Sequence, residues 1–382
     1  MKITLKLRRL GFFLNLLLLC SCATTPKSTA IVPATELPAE VSINNDAGRG
    51  GFLTVPLRME DGEELLFLVD TGSPWTLLDK SFEPKLGKRL GTQTAASLSD
   101  KWKSNVYAEP KLYLGSTPLM IGNIVTKDFK PQSSHSIMGI LGLNCLRHYC
   151  VQLDFEAGKM RFLNSDQINA AELGKAFPLT FGGGHVGIHH SAFIGESTNL
   201  LIDTGCTIDG LAKKTEIKGQ GVLLPECDWD GQTYAHLIVA APSDWATVIG
   251  LDFLARHLVT LDFPKRTMYL KQTSVGPLDV FMNKSRLGGA MEFAESLKEK
   301  GQLPGFSKVD KGAVYLEGYS NFGSESHSNS DTKSETLDFG KNGKASNYHC
   351  VVDRVSQDSP WQLQKAWRTD QNGHTIEEYP IP

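Results

Sequence analysis

The chain has 382 residues, of which 41% are hydrophobic and 21% are charged, and its formal net charge is -3 at neutral pH. These values are typical of a globular protein with two or three domains. Because the charge is slightly negative and no long run of one sign occurs, a basic surface for nucleic acid is excluded, and we expect no nucleic-acid partner.

The N-terminal segment has the pattern of an export signal. Basic residues at 2–9 precede an apolar stretch at 10–19, which is too short for a stable membrane-spanning helix. The stretch ends in Leu19-Cys20-Ser21-Cys22-Ala23, which resembles a bacterial lipobox, in which Cys22 would be lipidated. The alternative is an ordinary secretory signal. We expect residues 1–22 to be a signal peptide, and the protein to be an exported lipoprotein of the outer membrane that faces the periplasm.

Residues 23–46 are rich in Thr, Pro, Ala and Glu without apolar periodicity, and they predict a flexible tether. Order is expected to begin at Gly48. Apolar runs at 52–57 and 65–69, separated by an Asp-Gly turn, predict a β-hairpin that ends in Asp70-Thr71-Gly72-Ser73. An ionisable side chain at the end of a buried strand is costly, which suggests a functional role.

The segment at 85–103 is polar and rich in Gly, Ser and Thr, and we interpret it as a mobile lid beside the reactive loop. Strand-like pieces follow up to Val125. The stretch at 140–162 then predicts a strand, a short helix and a second hairpin.

The same pattern recurs later in the chain. A second apolar run ends in Asp203-Thr204-Gly205-Cys206, and residues 248–270 align without a gap with 140–162, so that Gly142 matches Gly250. Such self-similarity indicates a tandem duplication. The spacing between the aspartate and the glycine is longer in the first unit, which places an insertion in the predicted lid.

The repeat ends at Gln272, and residues 273–382 predict a small accessory α+β domain. Residues 279–300 have helical periodicity, and short strands are expected at 313–319, 348–355, 361–368 and 376–379. Two tryptophans, Trp361 and Trp367, could form a ligand platform, although a hydrophobic core is the favoured interpretation.

The cysteines do not form a disulfide framework, because few remain after processing in a chain of this length. Cys145 and Cys150 are close enough in sequence for a local bridge between them. No Cys/His group has metal-ligand spacing, and His189-His190 reads as a surface pair. We therefore expect neither a metal nor a cofactor.

Two similar units that each present one aspartate can bring both carboxylates together. Two carboxylates in contact cannot both ionise easily, so they share one proton and their pKa values separate. One carboxyl group can then act as a base towards a water molecule while the other acts as an acid towards a carbonyl oxygen.

These residues resemble the signature of pepsin-like and retropepsin-like aspartic peptidases. That signature consists of an apolar run, the motif Asp-Thr/Ser-Gly-Thr/Ser and, later in the chain, two apolar residues followed by Gly. Both parts occur twice between residues 48 and 272. The resemblance implies an all-β, two-lobed acid-protease β-barrel fold, with an N-terminal lobe at 47–165 and a C-terminal lobe at 166–272.

The resemblance also implies roles for individual residues. Asp70 and Asp203 match the catalytic aspartates. The other residues of the two motifs match positions that support the catalytic loops: Thr71, Gly72, Ser73, Thr204, Gly205 and Cys206. Among these, the threonines match those that hydrogen-bond between the lobes, and Ser73 matches the hydroxyl that supports its carboxylate. A thiol at Cys206 is a weaker hydrogen-bonding partner than the usual hydroxyl. Tyr107 lies in a plausible flap stretch but is assigned no role.

The leading hypothesis is an aspartic endopeptidase that acts on a peptide or protein substrate and needs only a monomer, held at the membrane by its lipid. The alternative is a catalytically weak or inactive protein of this fold that binds peptides or an envelope partner in the inter-lobe cleft. In a third hypothesis the C-terminal appendage is the functional part of the protein, and the two lobes serve as its platform.

Overall fold

The computed structural model describes residues 37–96, 101–129, 137–217, 220–243, 246–278, 289–306, 313–321, 333–341, 344–354, 359–370 and 372–381. The signal peptide, Cys22 and residues 23–36 of the predicted tether lie outside these ranges, as do residues 279–288 of the predicted helix. In the described part of the chain, no helix combines the length and the apolar character needed to cross a membrane.

The described residues form mainly β strands, which confirms the predicted all-β class. They belong to two compact units. The first comprises the chain up to His189 together with Asn199–Thr207 and Ile249–Ser274, and the second comprises His190–Thr198, Ile208–Val248 and the chain from Val275 onwards. The lobe boundaries proposed from the repeat stay a prediction.

In its described residues, the first unit contains most of the strands, two short α-helices and two 3-10 helices (Lys80–Lys85 and Ala170–Glu172). Its elements in chain order are β1 (Ala39–Ser42), β2 (Thr54–Met59), β3 (Glu64–Val69), β4 (Leu77–Asp79), β5 (Arg89–Ala96), β6 (Lys101–Tyr107), β7 (Leu112–Leu114), β8 (Thr117–Pro118), β9 (Ile124–Lys127), β10 (Gly139–Leu141), α1 (Leu143–Leu146), β11 (Cys150–Asp154), β12 (Lys159–Leu163), β13 (Lys175–Gly182), β14 (His185–His189) and β15 (Asn199–Asp203).

One sheet of the first unit has the strand order β5-β6-β9-β4-β10-β3-β2-β7-β8. Strands β2 and β3 pair in antiparallel fashion, which confirms the predicted hairpin. Strand β10 runs parallel to β3, with Leu141 opposite Val69. The end of β3, where Asp70 follows, is therefore held in the interior of a sheet, where its backbone is paired on both sides.

The second copy of the strand, helix and hairpin pattern is also present. It consists of β19 (Thr247–Gly250), α2 (Leu251–Leu254), β20 (His257–Asp262) and β21 (Thr267–Gln272), and the chain passes from the second unit to the first within β19. The residue that precedes each helix has nearly the same backbone conformation, with φ -100° at Gly142 and φ -99° at Gly250. The predicted duplication is thus visible in the backbone.

A second sheet of the first unit joins the two copies. Its consecutive pairings are β1–β12, β12–β11, β11–β20, β20–β21 and β21–β13, all antiparallel. At its centre Gln152 lies opposite Thr260, its own counterpart in the repeat, and the Gln152 Nε2 donates to Thr260 Oγ1 at 3.1 Å. The pairing is symmetric about this point.

Order begins earlier than the predicted position at Gly48. Strand β1 pairs with β12, and Ala39 and Ile43 are buried. The sequence interpretation of residues 37–46 as tether was therefore wrong, because a strand of four residues is too short to show an alternating pattern among Pro and Glu residues. Strand β13 occupies the matching place beside β21.

In the described residues of the segment interpreted as a mobile lid, β5 and β6 pair in antiparallel fashion, with a register shift between Arg89 and Gly91, and we call this pair the lid hairpin. Its base is tied down because Asn105 Nδ2 donates to Glu83 Oε1 at 2.8 Å. Tyr107, at the end of β6, is buried and also hydrogen-bonds to Glu83. The polar composition reflected strands with an exposed face rather than a loop.

As far as its residues are described, the second unit consists of a sheet and one helix. Its elements in chain order are β16 (Gly210–Lys213), β17 (Gly221–Trp229), β18 (Gln232–Ser243), α3 (Gly289–Glu299), β22 (Ala313–Asn321), β23 (Lys333–Lys341), β24 (Lys344–Arg354), β25 (Gln362–Thr369) and β26 (Thr375–Tyr379). Strand β22 pairs with β17, so residues from both sides of position 272 share a sheet. Strand β23 was not predicted.

The core of the second unit lies between α3 and this sheet. Leu223, Met291, Phe339 and Tyr348 are all buried in one apolar cluster. Trp361 packs against the same cluster, which agrees with the favoured interpretation of this residue. The apolar face of α3 therefore explains why the helix forms where it does.

Candidate active site

The site lies in the first unit, at the ends of β3 and β15. Each strand carries an apolar run that stops at an aspartate, Asp70 after β3 and Asp203 at the end of β15. Asp70 is 0% exposed and Asp203 is 1% exposed. The structure brings the two predicted aspartates together in the interior, where a carboxyl group is costly to ionise.

Each carboxylate is held by its own loop. Asp70 Oδ1 accepts hydrogen bonds from the N–H of Gly72 at 2.8 Å and of Ser73 at 3.1 Å. Asp203 Oδ1 accepts one from the N–H of Gly205 at 2.8 Å. These bonds fix one oxygen of each carboxyl group, whereas Oδ2 of each is buried and accepts no hydrogen bond from the loops.

The two loops face each other so closely that only glycine fits. A Cβ atom on Gly72 would lie 2.6 Å from Cγ of Asp203, and one on Gly205 would lie 2.8 Å from Cγ of Asp70. Each aspartate therefore rests against the backbone of the opposite loop. The glycines are needed for this close approach.

A reciprocal pair of threonines joins the loops. Thr71 Oγ1 accepts from the N–H of Thr204 at 3.0 Å, and Thr204 Oγ1 accepts from the N–H of Thr71 at 3.0 Å. Each hydroxyl also donates to a strand carbonyl, Thr71 to Ile202 and Thr204 to Val69, both at 2.8 Å. Since both hydroxyls are buried and fully used, they fix the relative position of the two loops.

Burial raises the pKa of both carboxyl groups, and the negative charge of Asp70 raises that of Asp203 further. Burial raises the pKa of Asp70 to about 6, although hydrogen bonds with Asp203, Gly72 and Ser73 oppose it. Burial and then the negative charge of Asp70 raise the pKa of Asp203 well above its usual value. The pair therefore retains one proton over a range of pH, and that proton supplies the donor that neither Oδ2 atom otherwise has.

The residues that follow the two repeated glycines hydrogen-bond to the two aspartate loops. The N–H of Leu143, after Gly142, donates to the Ser73 carbonyl at 2.8 Å, and the N–H of Leu251 donates to the Cys206 carbonyl at 2.6 Å. A side chain at Gly142 would collide with the carbonyl of Trp75. Both short helices thus dock on the loops through the same backbone contact.

Ser73 differs from the role that the resemblance implied. Its hydroxyl donates to the carbonyl of Trp75 at 2.8 Å, whereas its backbone N–H is the group that reaches Asp70. In the second loop, the backbone of Cys206 lowers the pKa of Asp203 by a hydrogen bond. Both loops therefore support their carboxylates through the backbone.

Two residues near the site were missed by the sequence analysis. Asn144 Oδ1 accepts from both the N–H and the hydroxyl of Thr76, at 2.6 and 2.8 Å, and so ties α1 to the Asp70 loop. His185 Nδ1 lies 3.1 Å from the carbonyl oxygen of Gly72. Burial lowers the pKa of His185, so the neutral ring is favoured, and it can donate to this carbonyl. Asn144 lies within the repeated stretch, where Asp252 is its counterpart, so the repeat offered a signal for it, whereas His185 lies outside the two aligned stretches.

Cys145 and Cys150 are buried and form no bridge with each other, so the local disulfide that the sequence left open is absent. Burial raises the pKa of the Cys150 thiol to about 12. Among the described residues, no group of three or more His, Cys, Asp and Glu side chains is arranged to hold a metal ion. The chemistry available at the site is that of two carboxyl groups.

Comparisons with known proteins give structural likeness only. No family model matches the sequence, and no curated protein does. Among solved structures, the chain is similar to an aspartic proteinase from Irpex lacteus at 17% identity, covering 63% of this chain and 98% of that one with a TM-score of 0.44. It is also similar to Basic 7S globulin from soybean at 9% identity, covering 62% of this chain and 95% of that one with a TM-score of 0.43.

Proposed function

We propose that the protein is an aspartic endopeptidase that hydrolyses peptide bonds with a water molecule activated by Asp70 and Asp203. The observation that carries this proposal is the pairing of two buried carboxyl groups, each against the glycine of the opposite loop, with raised pKa values. A purely structural role would not require two carboxyl groups to be buried side by side.

The pair has the properties that hydrolysis needs. The ionised carboxylate accepts a proton from water as the water oxygen attacks the peptide carbonyl, and the protonated carboxyl group donates its proton to the carbonyl oxygen. A proton then passes to the amide nitrogen, the carbon–nitrogen bond breaks, and an amine and a carboxylic acid leave. Because the negative charge of Asp70 raises the pKa of Asp203, we assign the base to Asp70 and the acid to Asp203.

The pKa values predict when this state is populated. The singly protonated pair forms as the pH rises past about 6, where Asp70 ionises. It is lost at the higher pH at which Asp203 ionises. Activity should therefore rise through about pH 6 and decline on the alkaline side.

The test is a cleavage assay with a peptide library and the mature chain over a range of pH. The isosteric variants Asp70→Asn and Asp203→Asn should each reduce kcat/KM by a factor of about 1000 or more. An Asp166→Asn variant, which alters an exposed carboxylate, serves as control. Cleavage that survives both active-site substitutions, or none at any pH in the unmodified chain, would overturn the proposal.

A second candidate function is peptide binding without turnover. It is favoured by the Ser73 hydroxyl, which is engaged by the Trp75 carbonyl and so does not support the Asp70 carboxylate, and by the thiol at Cys206. The same library separates the two functions, because a binding protein would retain peptides that remain intact.

We further propose that the mature protein is held at the periplasmic face of the outer membrane by a lipid on Cys22. This proposal rests on the lipobox-like sequence alone. Mass spectrometry of the mature N-terminus should find an acylated cysteine, and an unmodified N-terminus further along the chain would contradict it.

A further inference from the structure

One face of the lid hairpin carries polar side chains that are unusually placed. In the register of β5 and β6, Gln93 lies opposite Ser104, and Ala95 lies opposite Trp102. Because side chains alternate along a strand, these four project from the same face. Ser104 is 1% exposed and Ala95 is 0% exposed, whereas Gln93 and Trp102 are half-buried, so this face is packed at its centre and partly open.

Three polar atoms on this face are buried and have no hydrogen-bond partner. They are Gln93 Nε2, Trp102 Nε1 and Ser104 Oγ. Buried polar groups in folded proteins are nearly always paired, so three unpaired groups on one hairpin face need an explanation. The opposite face of the hairpin behaves normally, since Asn105 there donates to Glu83.

The surroundings place this face beside the aspartate site. Ala95 and Trp102 belong to one apolar cluster with Leu68 and Trp75. Leu68 precedes Asp70 by two positions on β3, and the carbonyl of Trp75 accepts the hydroxyl of Ser73 in the Asp70 loop. Through Trp102, the face that carries the unpaired groups therefore shares an apolar cluster with residues that flank the Asp70 loop.

The unpaired groups on this face are suited to a ligand group that accepts hydrogen bonds. All three groups can donate a hydrogen bond, and two of them, the amide nitrogen of Gln93 and the indole nitrogen of Trp102, can only donate. A positive charge is also close, because Lys127 Nζ lies 4.2 Å from the ring centroid of Trp102. Donors next to a cation favour an oxygen acceptor, neutral or negative.

We propose that Gln93, Trp102 and Ser104 form a specificity subsite that binds the side-chain oxygen of an Asp, Glu, Asn or Gln residue in the substrate. The subsite deepens the proposed function and rests on it for the assignment of the ligand as a substrate peptide. An apolar side chain at this position would bury the same donors without an acceptor and would therefore be disfavoured.

The test measures peptide binding to the full chain carrying Asp203→Asn, so that no turnover is needed. Peptides of one parent sequence carry Glu, Gln or Leu at each position in turn, and dissociation constants are measured by calorimetry. At one position, Glu or Gln should bind at least tenfold more tightly than Leu. Each of the variants Gln93→Leu, Trp102→Phe and Ser104→Ala removes one donor and should reduce this preference by about tenfold.

The matched control is Thr94→Val, which exchanges a polar for an apolar side chain on the exposed face of the same strand. It should leave the preference unchanged. The NMR signal of the Trp102 indole N–H, assigned with Trp102→Phe, should move downfield only with peptides that carry the acceptor. Equal binding of Glu, Gln and Leu peptides at every position, or a Trp102 signal that does not move, would overturn the proposal.

Stability provides a readout that does not depend on a ligand. If Ser104 is unpaired in the free protein, Ser104→Ala should leave Tm unchanged or raise it, and a clear fall in Tm would contradict the proposal. The outcomes also separate the two hypotheses. If peptides bind selectively but the unmodified chain does not cleave them, the peptidase hypothesis is rejected and the subsite hypothesis stands. If the chain cleaves peptides without any side-chain preference, the subsite hypothesis is rejected and the peptidase hypothesis stands.

Discussion

The threonine pair gives the sharpest test of how the two aspartate loops are held. Replacing Thr204 by Val removes the acceptor of the Thr71 N–H and the donor to the Val69 carbonyl, two buried bonds of 3.0 and 2.8 Å. Each orphaned backbone group costs about 1 to 3 kcal/mol. Thr204→Val should therefore lower the free energy of unfolding by about 2 to 6 kcal/mol.

The matched control is Thr204→Ser, which keeps the hydroxyl and loses only a methyl group, at a cost of about 1 kcal/mol. Urea unfolding measures the global effect. Hydrogen exchange at the Thr71 amide measures the local one, because its N–H is the donor to Thr204 and should exchange much faster in the Val variant. Equal stability and equal exchange in the Val and Ser variants would refute the role assigned to this hydroxyl.

Three further predictions concern the carboxyl pair. Because folding raises the pKa of Asp70 and Asp203, the folded state binds more protons than the unfolded state between about pH 4 and 6. The contribution of the pair to the free energy of unfolding should therefore fall as the pH rises through this window. A variant with both residues replaced by Asn should lack this pH dependence when stability is measured by urea unfolding. Gly72→Ala should abolish cleavage and lower Tm, since its Cβ would collide with Asp203, whereas Gly87→Ala, which meets no atom within 4 Å, should be neutral by the same assays. Ser73→Ala should leave the titration of Asp70 followed by carboxyl NMR nearly unchanged, because the backbone N–H of Ser73 remains; a large fall or rise in that pKa would show that the hydroxyl supports the carboxylate.

The main features of the site could be predicted because they are encoded locally and twice. Asp-Thr-Gly at Asp70 and again at Asp203, each followed by an apolar-apolar-Gly, predicted two matching loops before any geometry was known. The reciprocal bonds of Thr71 and Thr204 follow from the same symmetry. A duplicated motif supplies an internal control that a single motif lacks.

Features that depend on distant partners could not be predicted. Strand β1 forms because β12 offers an edge to pair with, and its own four residues carry no pattern. The direction of the Ser73 hydroxyl depends on which nearby carbonyl it meets, and the contact of His185 with Gly72 joins segments far apart in the sequence. Such contacts come from tertiary packing, which overrides local preference.

The pairing of β22 with β17 bears on how the protein could be shortened. Residues after 272 look removable in the sequence, yet they cover an edge of the sheet at Gly221–Leu223 and bury Leu223 and Ile238. A chain cut at 272 would present an unpaired strand edge next to exposed apolar side chains, a combination that promotes aggregation. The C-terminal segment therefore prevents self-association of the chain by covering this strand edge and these apolar side chains.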